Sequence, residues 1–160
     1  MWIVLIIVLV ILLGFAVSGP MGAPWVPTFK QDVEKVLDDA GVTNKTHYIE
    51  LGCGDGRLVA AAAKRGAVAI GYEINPALWL VAWCRNIRYK NAHIHLGNFW
   101  KHSLEGYDVV VTFLMPKFMH RLEDKTIKEM KGGSILVSYV FPLPQKEPVI
   151  KRHHWFIYKY

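Results

Sequence analysis

Cysteine is almost missing: 160 residues hold two, Cys53 and Cys84. Two thiols make neither a disulfide framework nor a zinc-ligand spacing, and they suit a reducing compartment. Charge is missing from the whole N-terminal part, where no Asp, Glu, Lys or Arg precedes Lys30. Residues 1–17 are nearly all apolar, and as a helix they would rise about 26 Å against a hydrocarbon core of about 30 Å. No basic residue precedes the run, as the n-region of a secretory signal would require. The expectation is therefore a retained transmembrane helix over residues 1–18. A cleaved signal stays open, because Ala16, Ser18 and Gly19 are small enough for processing. Lys30, Lys35 and Lys45 follow the run, which places the rest of the chain on the cytoplasmic side. Acids are the scarcer charge, 13 against 19 Lys and Arg, for a net +6; such a surface suits a neighbourhood of anionic lipid. Internal repeats are absent, and so is any basic–aromatic recognition motif ahead of the tail at residues 151–160, so no nucleic-acid partner is expected. His93 and His95 alternate on a short apolar stretch without further ligands, and no metal is expected.

Beyond the N-terminal run lies a Pro/Gly-rich linker over residues 19–29, then enough chain for one domain over residues 30–160. Residues 30–40 place Val33, Val36, Leu37 and Ala40 on one helical face, closed by Gly41. Residues 47–51 read as a strand, and a helix follows from Arg57 to Gly66. Residues 67–72 form a second strand ending in Glu73. Asn75 caps a helix with Pro76 at its first position, running to about Lys90. On this helix Trp79, Leu80, Trp83 and Ile87 stand at helical spacing and are expected in the core, the alternative being that one tryptophan touches a membrane interface. Residues 93–96 and 107–114 are strands, the latter a continuous apolar run typical of a central parallel strand. A helix from Pro116 to about Met130, a strand over 134–141 and one or two closing strands over 149–160 complete the chain. Strands alternating with helices predict an α/β, Rossmann-like doubly wound fold, mostly parallel, with helices on both faces.

The most specific signal is residues 47–56, H-Y-I-E-L-G-C-G-D-G. A strand runs into a glycine turn that opens a helix, and the next strand ends in an acid; doubly wound folds hold an adenosine ribose this way. A dinucleotide turn reads G-x-G-x-x-G. Here Gly52, Gly54 and Gly56 read G-x-G-x-G, and Arg57 fills the place of the third dinucleotide glycine. Glu50, two residues before Gly52, would repel a pyrophosphate and suits an ammonium group. S-adenosylmethionine carries an ammonium group and a ribose diol, which Glu50 and Glu73 can serve.

On these residues the chain resembles the class I methyltransferases that depend on S-adenosylmethionine. The resemblance extends to Gly71-Tyr72-Glu73-Ile74-Asn75-Pro76, to Gly97-Asn98-Phe99, to the strand and loop from Asp108 to Pro116, and to Gly132-Gly133-Ser134 and the strand after it. It implies a cofactor site of Glu50, Gly52, Cys53, Gly54, Asp55, Gly56, Glu73, Asn75, Asn98 and Phe99. Pro24-Trp25-Val26-Pro27-Thr28, Gly-Asp-Gly-Arg, Phe113-Leu114-Met115-Pro116 and the segment Tyr139 to Pro144 together resemble one narrower group, the small membrane-associated protein lysine methyltransferases. Mitochondrial members of that group methylate the ATP synthase c subunit and the adenine nucleotide translocase.

That resemblance implies a protein substrate with an accessible lysine, itself membrane-associated. It also implies a lid over the cofactor at the linker, and a substrate pocket near Thr28, Phe113 and Pro116. The protein would be single-pass, anchored by residues 1–18, with its domain on the cytoplasmic or mitochondrial matrix side. No acid stands out as a dedicated base. A small-molecule or lipid methyltransferase and a nucleotide-binding membrane module without turnover remain the alternatives, and a dinucleotide oxidoreductase fits least.

Overall fold

The structure, a computed structural model, describes residue 2 and residues 26–160. The expected anchor over 1–18 and most of the linker lie outside the described residues. No helix among the described residues is long and apolar enough to cross a membrane.

Helix α1 (Lys30–Asp39) leads into β1 (His47–Leu51), α2 (Arg57–Lys64), β2 (Val68–Glu73), α3 (Pro76–Asn86) and β3 (Ala92–Leu96). A single 3-10 turn (Phe99–Lys101) precedes β4 (Val109–Thr112), and another (Pro116–Phe118) precedes α4 (Met119–Glu129). β5 (Ile135–Tyr139), β6 (Ile150–Lys151) and β7 (Trp155–Lys159) follow. The strands form one sheet in the order β3-β2-β1-β4-β5-β7-β6. The first five are parallel, while β7 pairs antiparallel with both β5 and β6. The expected mostly parallel α/β sheet is thus present, closed by two antiparallel strands.

Alternation along the central strands builds the two cores. Tyr48, Val109, Val111 and Val137 pack with Val36, Leu37, Leu58 and Ala82 from α1, α2 and α3. Ile49, Leu51, Val110 and Leu136 point the other way, toward Leu104 and toward Met119 and Leu122 of α4. The strand order reverses between β1 and β4, and ligands in open α/β sheets bind outside the carboxyl ends of the strands at such a point. Leu51 lies beside Tyr72 on one side and Thr112 on the other, so the carboxyl ends of β1, β2 and β4 meet there.

Helix α3 corrects two expectations. It ends at Asn86 rather than Lys90. Its large apolar residues are not core: Leu80, Trp83 and Ile87 are 51%, 42% and 63% exposed. The face turned inward carries Ala82 and Asn86, which approach the start of α2 so closely that a Cβ on Gly56 would stand 2.9 Å from Ala82 Cβ and 2.6 Å from Asn86 Nδ2. Small residues let the two helices meet, and Leu80, Trp83 and Ile87 are left facing solvent, whereas Trp79 is half-buried and its Nε1–H donates to the Ile94 carbonyl at 3.2 Å.

Candidate functional site

The turn after β1 is built from backbone and one carboxylate. Gly54 N–H donates to Glu73 Oε2 at 2.8 Å, and Asn75 N–H donates to Glu73 Oε1 at 2.8 Å. Gly52 and Cys53 N–H both donate to the Tyr72 carbonyl. The acid ending β2 therefore braces the turn ending β1. Its carboxyl is pushed up by burial, while the amides of Asn75 and Gly54 pull it back.

Glu50 is different. It is 7% exposed, and its Oε2 has no hydrogen-bond partner. Burial, with Asp55 nearby, drives its carboxyl well above the usual range. The Val59 backbone amide hydrogen-bonds the carboxyl and pulls it back only in part; a buried oxygen without a partner is costly in isolation, and a ligand ammonium would relieve that cost. Asn75 offers the complement: its Oδ1 caps α3 by accepting from Ala77 and Leu78 N–H, while its buried Nδ2 has no partner. Gly52 has a φ of +78°, and a Cβ there would meet nothing within 4 Å. An open glycine backbone flanked by an orphaned acceptor and an orphaned donor fits a ligand with an ammonium group and hydroxyls.

Asp55 and Arg57 make a second network. Asp55 accepts from Arg57 Nε at 3.0 Å, from Arg57 Nη2 at 2.7 Å and from Arg85 Nη2 at 2.9 Å. Burial would raise the Asp55 carboxyl, but the Arg57 and Arg85 guanidiniums outweigh it and hold it below its ordinary value. Arg57 Nη1 also donates to the Thr28 carbonyl at 2.7 Å. Asp55 thus turns its carboxylate to these cations, and Arg57 ties the linker down beside the turn. Asn98 caps the 3-10 turn by accepting from Trp100 N–H. Phe99 is buried, its ring 4.8 Å from that of Trp100.

At the carboxyl ends of β4 and β5 the Phe113 ring meets Tyr139 edge-on at 5.2 Å and lies 6.4 Å from Phe141. Thr28 is buried and Pro116 is exposed at the start of its 3-10 turn. Three residues to which sequence reasoning assigned no role gather here. Asp32 Oδ2 accepts from Tyr139 Oη at 2.6 Å and lies 2.7 Å from His154 Nδ1. Burial would raise Asp32; the Tyr139 hydroxyl and His154 together hold it below its ordinary value. Val140 follows with a φ of +70°, a left-handed conformation that strains a β-branched residue by about 1–3 kcal/mol and marks functional segments. Nothing local in the sequence signals this cluster, because its members come from α1, β5 and the loop before β7.

Elsewhere, His95 and His102 stack on Tyr72 at 5.1 and 4.0 Å, and no group of three metal-ligating side chains occurs among the described residues. The tail behaves as a closing strand, with Trp155, Ile157 and Tyr158 buried.

Comparison with known proteins agrees with this geometry. The lysine N-methyltransferase of the ATP synthase c subunit from Homo sapiens is 34% identical over 131 residues, covering 78% of this chain and 54% of that protein. A protein-lysine N-methyltransferase of Saccharolobus islandicus is 35% identical over 125 residues, covering 75% of this chain and 78% of that one. Among solved structures, an RNA methyltransferase from Salinibacter ruber in complex with S-adenosyl-L-homocysteine superposes with a TM-score of 0.79 at 25% identity, covering 84% of this chain and 93% of that one. The chain spans about half the length of the human ATP synthase methyltransferase and of its mouse counterpart, 54% and 51%. The family model for the ANTKMT methyltransferase domain matches residues 50–150, from the orphaned Glu50 through the strand that carries Tyr139. With that match over most of its length, a methyltransferase sheet and a glycine turn shaped for an ammonium-bearing ligand, the chain belongs to the ANTKMT methyltransferase domain family.

Proposed function

We propose that this protein transfers the methyl group of S-adenosylmethionine to lysine side chains of a membrane-associated protein. The observation that carries the reading is Glu50 Oε2, a carboxyl oxygen buried without a hydrogen-bond partner at the edge of an open glycine turn. S-adenosylmethionine would supply a methyl group on a sulfonium: the acceptor nitrogen would bond to the methyl carbon as the carbon–sulfur bond breaks, the neutral thioether S-adenosylhomocysteine would leave, and the methylated amine would give up its proton to solvent. Glu50 would take the ammonium, the remaining lone pairs of Glu73 and the Asn75 amide the ribose hydroxyls, and Gly52, Cys53, Gly54 and Gly56 the close backbone contact. Asp55 would fix the turn from behind, and Asn98 and Phe99 would border the adenine.

The relatives support lysine as the acceptor, since both are named for lysine methylation. A lysine amine must be neutral to react, against an ordinary pKa of about 10.4. The rings of Phe113, Tyr139 and Phe141 form an apolar wall, and desolvation disfavours the charged amine. Thr28 and Pro116 would bound the same pocket. Holding donor and acceptor in line and excluding water can supply roughly 7–11 kcal/mol of the barrier. The uncharged N-terminal run supports a single-pass anchor with the domain on the cytoplasmic or matrix side, which would raise the local concentration of a membrane substrate.

The test is transfer of labelled methyl from S-adenosylmethionine into membrane extracts, followed by acid hydrolysis of the product. Label recovered as methyllysine supports the reading. Label in lipid or small molecules, or cofactor binding with no transfer, overturns it. Extraction of the protein from membranes by alkaline carbonate would overturn the anchor.

A further inference from the structure

Helix α3 turns its bulk outward. Leu80, Trp83, Cys84 and Ile87 stand at i, i+3, i+4 and i+7, and all four are exposed. That spacing gathers them into one stripe, while Ala82 and Asn86 occupy the opposite, buried side. Contiguous apolar surface of this kind marks a contact site.

The charge around the stripe selects the occupant. Residues 74–104 contain no Asp or Glu, but they contain Arg85, Arg88, Lys90 and Lys101 and three histidines. Arg88 and Lys90 are exposed beside Ile87, and Lys90 also borders a groove of about 350 Å³ between α3 and β3. Arg85 is shared with Asp55. Two copies meeting through this face would set like charges together, which disfavours a self-contact. A nucleic acid would satisfy the cations but gain little from Leu80 and Ile87. An anionic bilayer satisfies both: apolar side chains enter the acyl boundary, Trp83 suits the interface, and Lys and Arg meet the headgroup phosphates. Arg85 also links this helix through Asp55 and Arg57 to the Thr28 carbonyl.

We infer that the outer face of α3, with Leu80, Trp83 and Ile87 as its anchors and Arg88 and Lys90 as its cationic rim, lies on an anionic membrane surface. This contact is separate from any spanning segment and from the methyl-transfer reading: a domain tethered by its N-terminus alone would swing freely, whereas α3 contact fixes its orientation to the bilayer.

Cys84 lies in the stripe and is exposed, while Cys53 is buried, so a nitroxide placed on Cys84 of the full chain reads this face directly. On vesicles containing phosphatidylglycerol, the label should pass from access by a water-soluble nickel complex to access by oxygen, at a depth of about 5–10 Å. On purely phosphatidylcholine vesicles the shift should be smaller. L80E/I87E should return the label to water, with the melting temperature reporting that the fold is kept. A nitroxide at I127C in a C84S background, on exposed Ile127 of α4, should stay in water throughout. A Cys84 label that remains nickel-accessible on both vesicles overturns the proposal. So does loss of access to both reagents with dipolar broadening between labels, which would show a second copy on the face. So does a change seen only on adding single-stranded RNA.

Discussion

Glu73 Oε2 accepts the Gly54 amide at 2.8 Å, so the acid that ends β2 is a structural part of the turn that ends β1. Its other oxygen holds the Asn75 amide at the head of α3. One side chain thus sets the glycine turn and the capped helix at once. Replacing Glu73 by Gln turns one acceptor into a donor opposite a backbone N–H. The expected outcome is a stability loss of about 1–3 kcal/mol, as for an unsatisfied buried group. Affinity for S-adenosylmethionine should fall at least about tenfold, or about 1.4 kcal/mol. Urea denaturation and calorimetric titration read the two effects separately.

Glu50 should behave in the opposite sense on stability. Burial raises its carboxyl well above its ordinary 4.5. A raised value in the folded state gives stability that is complete below 4.5 and is lost as pH rises through the folded value. Glu50→Gln removes that loss, so the variant should melt higher than the parent near neutral pH and converge with it in acid. The same variant should bind S-adenosylmethionine more weakly. An ammonium beside Glu50 favours the ionised form, so binding by the parent should release a proton. Titrations in buffers of different ionisation enthalpy would show this, and the release should vanish in the variant.

Asp32 should shape the acid limb. Burial would raise its carboxyl, but Tyr139 and His154 hold it below 3.8. A depressed value gives stability that is present above 3.8 and is lost as pH falls through the folded value. Asp39 and Asp55, held down by Arg152 and by Arg57, act in the same sense. Asp32→Asn should therefore flatten the fall in melting temperature below 3.8 while lowering stability at neutral pH. Tyr139→Phe removes one donor to a charged acceptor and should cost about 1.5–3 kcal/mol. It leaves the ring contact with Phe113 in place.

Gly56 should tolerate no side chain. Its φ is +70°, and a Cβ would press on Asn86 Nδ2 and Ala82 Cβ across the α2–α3 contact. Gly56→Ala combines backbone strain with overpacking and should cost at least about 1–3 kcal/mol. Gly132→Ala meets nothing within 4 Å and should leave the unfolding free energy from urea denaturation unchanged within about 0.5 kcal/mol.

The sequence by itself determined what is local. The glycine spacing at Gly52, Gly54 and Gly56, the Asn75-Pro76 cap and the alternation of strands with helices each depend on neighbours within a few positions, so the order of elements and the glycine turn after β1 were legible. Boundaries were less so: the apolar runs around β4 and β5 extend past the last ladder pairs, and α3 stops four residues short of Lys90. Tertiary structure alone decided which way α3 faces. Periodicity groups Leu80, Trp83 and Ile87 on one side, but it cannot say whether that side meets the sheet, and the close approach of Ala82 and Asn86 to Gly56 turns it away. Tertiary structure also assembled Asp32 with Tyr139 and His154, separated by 107 and 122 positions. Hydrogen bonds across such distances leave no pattern in the chain, because only the folded sheet brings the end of β5 and the loop before β7 against α1.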